Sequence, residues 1–290
     1  MNQVGENKSE KLTIPSHGFT HGGCFHADDV FATALLSLVN PDFTWRRGNE
    51  VPADFDGIVY DIGGGEYDHH QVGARVRENG VPFAAFGLVW EKYGCLLLDP
   101  GDVSFFDEKF VQMIDLTDNT GKENPISTVI RDMNPEWNEE VDQDLAFSGA
   151  VDYAKTTLST WFKHLKAKRE AAKLIEERML QVKDRTLDLG MYLPWNDYLW
   201  DKEVDFVIFP SNRGGFSLQT VAHDPEKQRS REFPKEWGGL RDAELEKVSG
   251  IRGMLFCHKA GFLCVTETLE AAWEVVRYME EMTGNINENE

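Results

Sequence analysis

Two short stretches gather side chains that bind metal ions. Glu66-Tyr67-Asp68-His69-His70-Gln71 sets an aspartate before two adjacent histidines, just past the apolar run Ile58-Val59-Tyr60-Asp61. Upstream, His21-Gly22-Gly23-Cys24-Phe25-His26-Ala27-Asp28-Asp29 mixes two histidines with two aspartates. The chain has eight histidines, and four of them fall in these stretches. Imidazole and carboxylate together suit Mn²⁺, Zn²⁺ or Mg²⁺. Asp115 and Asp118 form a third group, at i, i+3 on one helix face. Carboxylates in a last helical turn oppose the macrodipole by ~0.3–1 kcal/mol, and a cation would offset that. Each group also has an ordinary reading: a helix start for Asp28 and Asp29, a solvated turn for Asp68-His69-His70, an exposed helix end for Asp115 and Asp118. Jointly they supply more ligands than one ion needs, which points to two metals sharing a carboxylate. Such pairs generate a hydroxide and clamp both oxygens of an in-line displacement at phosphorus.

The elements that must position these groups follow from apolar spacing. Phe19-Thr20-His21 reads as a strand end, and Gly22-Gly23 lets the chain turn tightly. From Asp28 to Val39 apolar residues recur at helical spacing, and Asn40-Pro41 ends the helix. Phe43–Arg46 and Ile58–Asp61 read as strands. Strand, helix, strand, strand predicts an α/β fold with a parallel sheet and covering helices. Ligands of such sheets bind outside the carboxyl ends of the strands, where His21 and Asp61 would both lie. Helices are predicted over Phe83–Leu98 and Ser104–Leu116, and one or two long charged helices over Asp144–Leu187. Beyond Gly190 the pattern changes to strands at Asp205–Phe209, Phe216–His223, Gly253–His258 and Gly261–Thr266. A helix over Leu269–Met282 and a frayed tail after Gly284 follow. Residues 1–16 thus read as a disordered lead-in, 17–187 as a metal-binding catalytic domain with linker helices, and 188–290 as a smaller α+β substrate-binding domain.

Composition narrows the partners. At 290 residues with a formal charge of −20, the chain is a poor non-specific binder of long nucleic acid, which needs many cations against phosphate. An anionic substrate fits only where bound metals and a few placed cations reverse the local field. No apolar run approaches the roughly 20 residues that span a bilayer. The first residues lack signal- or transit-peptide character, so a cytoplasmic protein with no membrane partner is expected. The four cysteines are scattered and fit reduced thiols rather than a disulfide framework. Gly63-Gly64-Gly65 lacks the following Lys-Ser/Thr of a nucleotide-binding P-loop.

The run from Thr20 to Asp29, then Asp61-Ile62-Gly63-Gly64 leading to Tyr67-Asp68-His69-His70-Gln71, resembles the DHH phosphoesterase superfamily. More narrowly it resembles the melanocyte-proliferating-gene family of metal-dependent exonucleases. The likeness continues in Met113–Asn119, Leu193-Pro194-Trp195, Val207–Ser211, Trp237–Asp242 and Val248–Ile251. Gly22, Cys24, Ala27 and Asp29 stand where that family tends to carry Asn, Thr, Cys and Glu. The resemblance implies a DHH-type metal domain and two divalent ions, Mn²⁺ first, with Mg²⁺ and Zn²⁺ as alternatives. It implies that His21 and His26 hold one metal and Asp28 the other. Asp61 would bridge them, and His69 and Asp115 would complete the second, with Asp118 either outside the ligands or exchanging roles with Asp115. His70 would be the catalytic phosphate donor or general acid, oriented by Asp68. In the carboxyl-terminal half, Arg241, His258 and Lys259 are candidates for substrate phosphate, with Gln219 and Arg231 as weaker ones. The expected activity is exonucleolytic release of nucleotides from short RNA or DNA by hydroxide attack on phosphorus. Two other readings stand beside it: a hydrolase of small nucleotides or pyrophosphate-type compounds, and a non-catalytic metal-binding regulatory protein.

Overall fold

The structure, a computed structural model, describes residues 12–222 and 231–287. The chain forms two compact units, Met1–Lys166 and Ala167–Glu290, so the division falls well before the expected boundary at residue 187. Of the expected lead-in, residues 1–11 lie outside the described residues, as does His223 at the end of one predicted strand.

The first unit is built on three parallel strands, β1 (His17–His21), β2 (Thr44–Gly48) and β3 (Ile58–Val59), in the order β2-β1-β3. Phe19 of β1 lies between Arg46 and Val59, which fixes the register on both sides. The crossover from β1 to β2 is α1 (Ala27–Val39). Every residue from Ala27 to Leu36 is buried, Asp28, Asp29 and Thr33 included. α1 is enclosed by α2 (Ala85–Tyr93), α4 (Gln112–Thr120) and α5 (Pro125–Asp132). The helix predicted over Ser104–Leu116 starts earlier, as α3 (Pro100–Phe106). It continues through a π-helical turn (Asp107–Val111) into α4. α5 was not foreseen; Asn124 caps it by accepting the Ser127 N–H at 2.9 Å, and Pro125 opens its first turn. The long charged helix is a single one, α6 (Gln143–Met179). Its first half buries Phe147, Leu158 and Phe162 with Phe31, Phe86, Trp90 and Phe106.

The second unit carries β4 (Thr186–Asp188), α7 (Asn196–Leu199), β5 (Phe206–Pro210), β6 (Phe216–Thr220), α8 (Asp242–Ser249), β7 (Met254–Cys257), β8 (Leu263–Thr266) and α9 (Leu269–Asn287). Its sheet runs β4-β5-β6-β8-β7, parallel only between β4 and β5. β5 shows why its sequence is continuously apolar. Phe206 and Ile208 pack into one core with Trp237 and Val275, while Val207 and Phe209 pack into another with Ile175 and Trp195. A strand covered on both faces buries every residue, and alternation vanishes. α9 runs five residues beyond its predicted end at Met282.

Candidate metal centre

β1 delivers His21 at its carboxyl end, and the turn that follows leads into α1. There the His26 N–H donates to Asp29 Oδ1 at 2.9 Å, closing the first turn. An ordinary capping aspartate would be solvated; here Asp28 and Asp29 are fully buried. β3 delivers Asp61, whose φ of 58° puts a non-glycine residue in the left-handed region. Strain of that kind persists only where the surroundings enforce it, often at functional sites. The Asp61 N–H donates to the Tyr67 carbonyl at 3.0 Å, which draws the Asp68-His69-His70 segment back over the strand end.

Three groups of potential ligands result, each with its donor atoms within 4.8 Å of one another: Asp61, His69 and His70; His21, Asp29 and Asp61; His26, Asp28 and Asp118. Asp61 is common to two of them. His21 Nε2 lies 3.2 Å from both Asp29 and Asp61. His69 Nε2 lies 3.1 Å from Asp61, 3.2 Å from Asp118 and 3.5 Å from Asp28. The fit to cations can be judged from what the carboxylates lack. Asp28 Oδ1 is buried with no hydrogen-bond partner, and Asp29 Oδ2 faces only the His21 ring. Burying an unpartnered carboxylate oxygen costs free energy unless a cation supplies the missing partner. The donor set, imidazole nitrogen with carboxylate oxygen, suits divalent metal ions.

Protonation follows the crowding of negative charge. Burial disfavours charge on His21 and His69, yet the adjoining carboxylates outweigh it and raise both to about 11. Burial pushes Asp29 up to about 6 against the pull of His21, and burial with the Asp28 charge pushes Asp118 up to about 7. Asp61 is lowered in spite of its burial, because His21 and His69 both bond to it. Among the described residues, the ion-pair partners of Asp28, Asp29, Asp61 and Asp118 are histidines.

Of the third pair, Asp118 reaches the cluster and Asp115 turns away from it. Asp115 Oδ2 meets Arg77 Nη1 at 2.8 Å, and Oδ1 accepts the Gly87 N–H at 3.0 Å. Burial pushes Asp115 up to about 8, and Arg77 works against that. A Cβ at Gly87 would stand 1.9 Å from Asp115 Oδ2, so only glycine admits this approach. Arg77 also binds Asp107 at 2.9 Å and lies over the Phe83 ring at 3.9 Å.

Sequence reasoning passed over four residues here. Asp29 stands in the first cluster but outside the ligand set that the resemblance implies. Asn119 donates to the carbonyls of Phe83 and Asp115 at 3.0 and 2.9 Å, which leaves its Oδ1 toward His69 Nδ1 at 3.4 Å. Asn134 grips the peptide of Phe25 from both sides, at 2.9 Å each, and so fixes the loop that carries His26. Arg77 left no local signal, because its partners lie far along the chain. His70 is exposed, and its Nδ1 stands 2.8 Å from Asp68 Oδ1. Asp68 also accepts the Gly64 and His70 N–H groups at 2.6 and 3.1 Å. These bonds hold Asp68 low despite its burial, so the ring Nδ1–H donates and Nε2 is left free.

In the second unit, Arg241, His258 and Lys259 lie close along the backbone. The stretch Gly239–Arg241 runs beside β7, with Gly239 N–H on the Cys257 carbonyl and Cys257 N–H on that of Leu240. Arg241 covers the Phe256 ring at 4.4 Å and His258 stacks near Phe262 at 4.4 Å, while Lys259 is exposed. Arg231, one of the two weaker candidates, is committed to Asp205 and Glu280, at 3.2 and 2.5 Å. Gln219 is half-buried in β6.

Fold and site together define a mixed α/β protein with a histidine–aspartate cluster suited to metal ions at the strand ends of its parallel sheet. The profile of the uncharacterised protein family UPF0160, MYG1_exonuc, matches residues 18–279, and the chain belongs to that family. It is 28% identical to the human MYG1 exonuclease, over 92% of this chain and 86% of that protein. It is 27% identical to a MYG1 protein of Saccharomyces cerevisiae (89% and 94% covered) and 30% identical to one of Chlamydia pneumoniae (92% and 97%). No solved structure gives a significant match. Among the described residues, no helix is long and apolar enough to cross a membrane.

Proposed function

We propose that the protein is a two-metal phosphodiesterase of DHH type that releases nucleotides from the ends of short nucleic acids. The observation that carries this reading is the buried, under-neutralised carboxylate cluster threaded with imidazoles. The name exonuclease borne by the mammalian relatives supports it. His21, His26, Asp28, Asp29, Asp61, His69 and Asp118 would hold the ions; Asp115, tied to Arg77, would brace α4 behind them. When bound, a pair of divalent ions supplies an activated water and charge stabilisation at phosphorus.

The chain's own residues do the rest. Asp68 fixes the His70 ring through Nδ1, as in the aspartate–histidine pairs of other hydrolases. Protonated His70 gives its Nε2 proton to the departing ester oxygen as the P–O bond breaks and water oxygen bonds to phosphorus. Arg241, His258 and Lys259 of the second unit are proposed to bind phosphate. The charge of −20 favours short substrates, and a dinucleotide is the natural lower limit.

The test is cleavage of end-labelled oligonucleotides of two to twenty nucleotides in Mn²⁺. Mononucleotide release is expected, abolished by chelator and reduced about 10²–10⁴-fold in His70→Ala, with faster turnover of the shorter substrates. No cleavage in any divalent metal by protein shown to bind that metal would overturn the reading.

A further inference from the structure

A cavity of about 360 Å³ adjoins the metal centre, and no role has yet been given to it. One wall is a single stripe of α4, with Ile114, Thr117, Asp118 and Gly121 at i, i+3, i+4 and i+7. The other is a stripe of α5: Ser127, Thr128 and Arg131. His26, Ala27 and His70 complete the lining, so the cavity shares His26 and Asp118 with one group of potential ligands. The two walls are held together by the buried Asn124, whose Oδ1 accepts the Ser127 N–H at 2.9 Å and whose Nδ2 donates to the Met113 carbonyl at 3.3 Å. A cleft built this way is formed before a ligand arrives.

We infer that this cavity is the subsite for the terminal nucleoside, the base and sugar attached to the phosphate under attack. The inference rests on the nuclease reading and adds which part of the substrate the first unit grips. Three observations favour a nucleoside over a second phosphate, and a further lining residue, Arg131, serves either. Away from the ion-holding Asp118, the lining carries the carboxylate of Glu123, and the carboxyl end of α4 adds its negative pole, so that part of the interior repels anions. Hydroxyl and amino donors of a sugar and base are what such acceptors bind. Ile114, fully buried, and Ala27 give an apolar face against which a base can lie. Arg131 is the one permanent cation of the lining. It is held only by Asp132 at 3.0 Å and Glu123 at 3.7 Å, in solvent-exposed pairs. Such pairs are worth ~0–1 kcal/mol, so the guanidinium is free to swing onto a base carbonyl or ring nitrogen. The volume lies near the lower end of the roughly 300–1,000 Å³ of small-molecule sites. It admits one nucleoside, and the products would therefore be mononucleotides.

The test uses the full-length protein in Mn²⁺ and adenosine 5′-monophosphate as probe, followed by calorimetry. Thr128→Phe, which fills the cleft from α5, is expected to weaken the nucleotide at least tenfold while leaving inorganic phosphate and Mn²⁺ binding within twofold. Arg131→Ala is expected to weaken it three- to tenfold. Equal nucleotide affinity in wild type and Thr128→Phe, absence of binding to both included, overturns the subsite. Absence of oligonucleotide cleavage overturns the nuclease reading instead. If Thr128→Phe fails to fold, photolabelling of the wild type with 8-azidoadenosine 5′-monophosphate decides. Attachment within residues 114–131 supports the subsite, and attachment elsewhere removes it.

Discussion

Asp205 and Asp28 are both buried aspartates, but their surroundings differ. Asp205, at the start of β5, receives Arg185 through two bonds of 2.8 and 3.0 Å and Arg231 at 3.2 Å. Its charge is answered by guanidiniums from its own chain. Asp28 is packed with Asp118, among Asp29, Asp61 and histidines, and one of its oxygens has no hydrogen-bond partner. A buried charge that serves only the fold is matched within the fold, because leaving it unmatched costs several kcal/mol. A buried charge left unmatched marks a place that something else completes. Asp115 lies between the two: Arg77 pairs with it at 2.8 Å, yet burial still pushes its carboxyl up to about 8.

Substitutions can break this contrast. The largest effect is expected from Asp61→Asn, which removes the carboxylate common to two ligand groups. Mn²⁺ affinity measured by calorimetry should fall about 10³-fold, or about 4 kcal/mol, and the metal-free melting temperature should drop as well, since His21 and His69 both bond to Asp61 and hold its carboxyl low. Undiminished Mn²⁺ affinity would remove Asp61 from the ligands. Next, Arg77→Ala should cost about 2–3 kcal/mol in denaturant unfolding, because the buried Asp115 and the half-buried Asp107 lose its donors. Asp205→Asn should cost less, about 2 kcal/mol, since the Arg185 it would strand reaches solvent. Smallest is Asn119→Ala, which frees the far side of the His69 ring. A loss of about tenfold in Mn²⁺ affinity with little change in stability is expected, and unchanged affinity would show that His69 needs no such support.

Much of this was legible in the chain. The clusters at residues 21–29 and 66–71 stand out because their donors are neighbours in sequence. The parallel sheet was legible from the alternation of apolar runs with a helix-spaced one. α5 was not. Its eight residues, Pro125–Asp132, carry Ile126, Val129 and Ile130 at helical spacing but bury only Ile130, a stripe too short to stand out beside the longer helices, and its start is fixed by Asn124 and Pro125. The π-helical turn was likewise silent, because one extra residue per turn leaves the spacing of apolar residues within helical bounds.

By itself the sequence determined which donor types exist and roughly where they stand relative to strand ends, since both follow from neighbouring residues and local backbone preference. Only the tertiary structure decided which of Asp115 and Asp118 faces the histidines. Three residues apart on a helix, both side chains point to nearly the same side, and no local rule separates them. The choice falls to Arg77 and the bare backbone of Gly87, which take Asp115 and leave Asp118 facing the histidines.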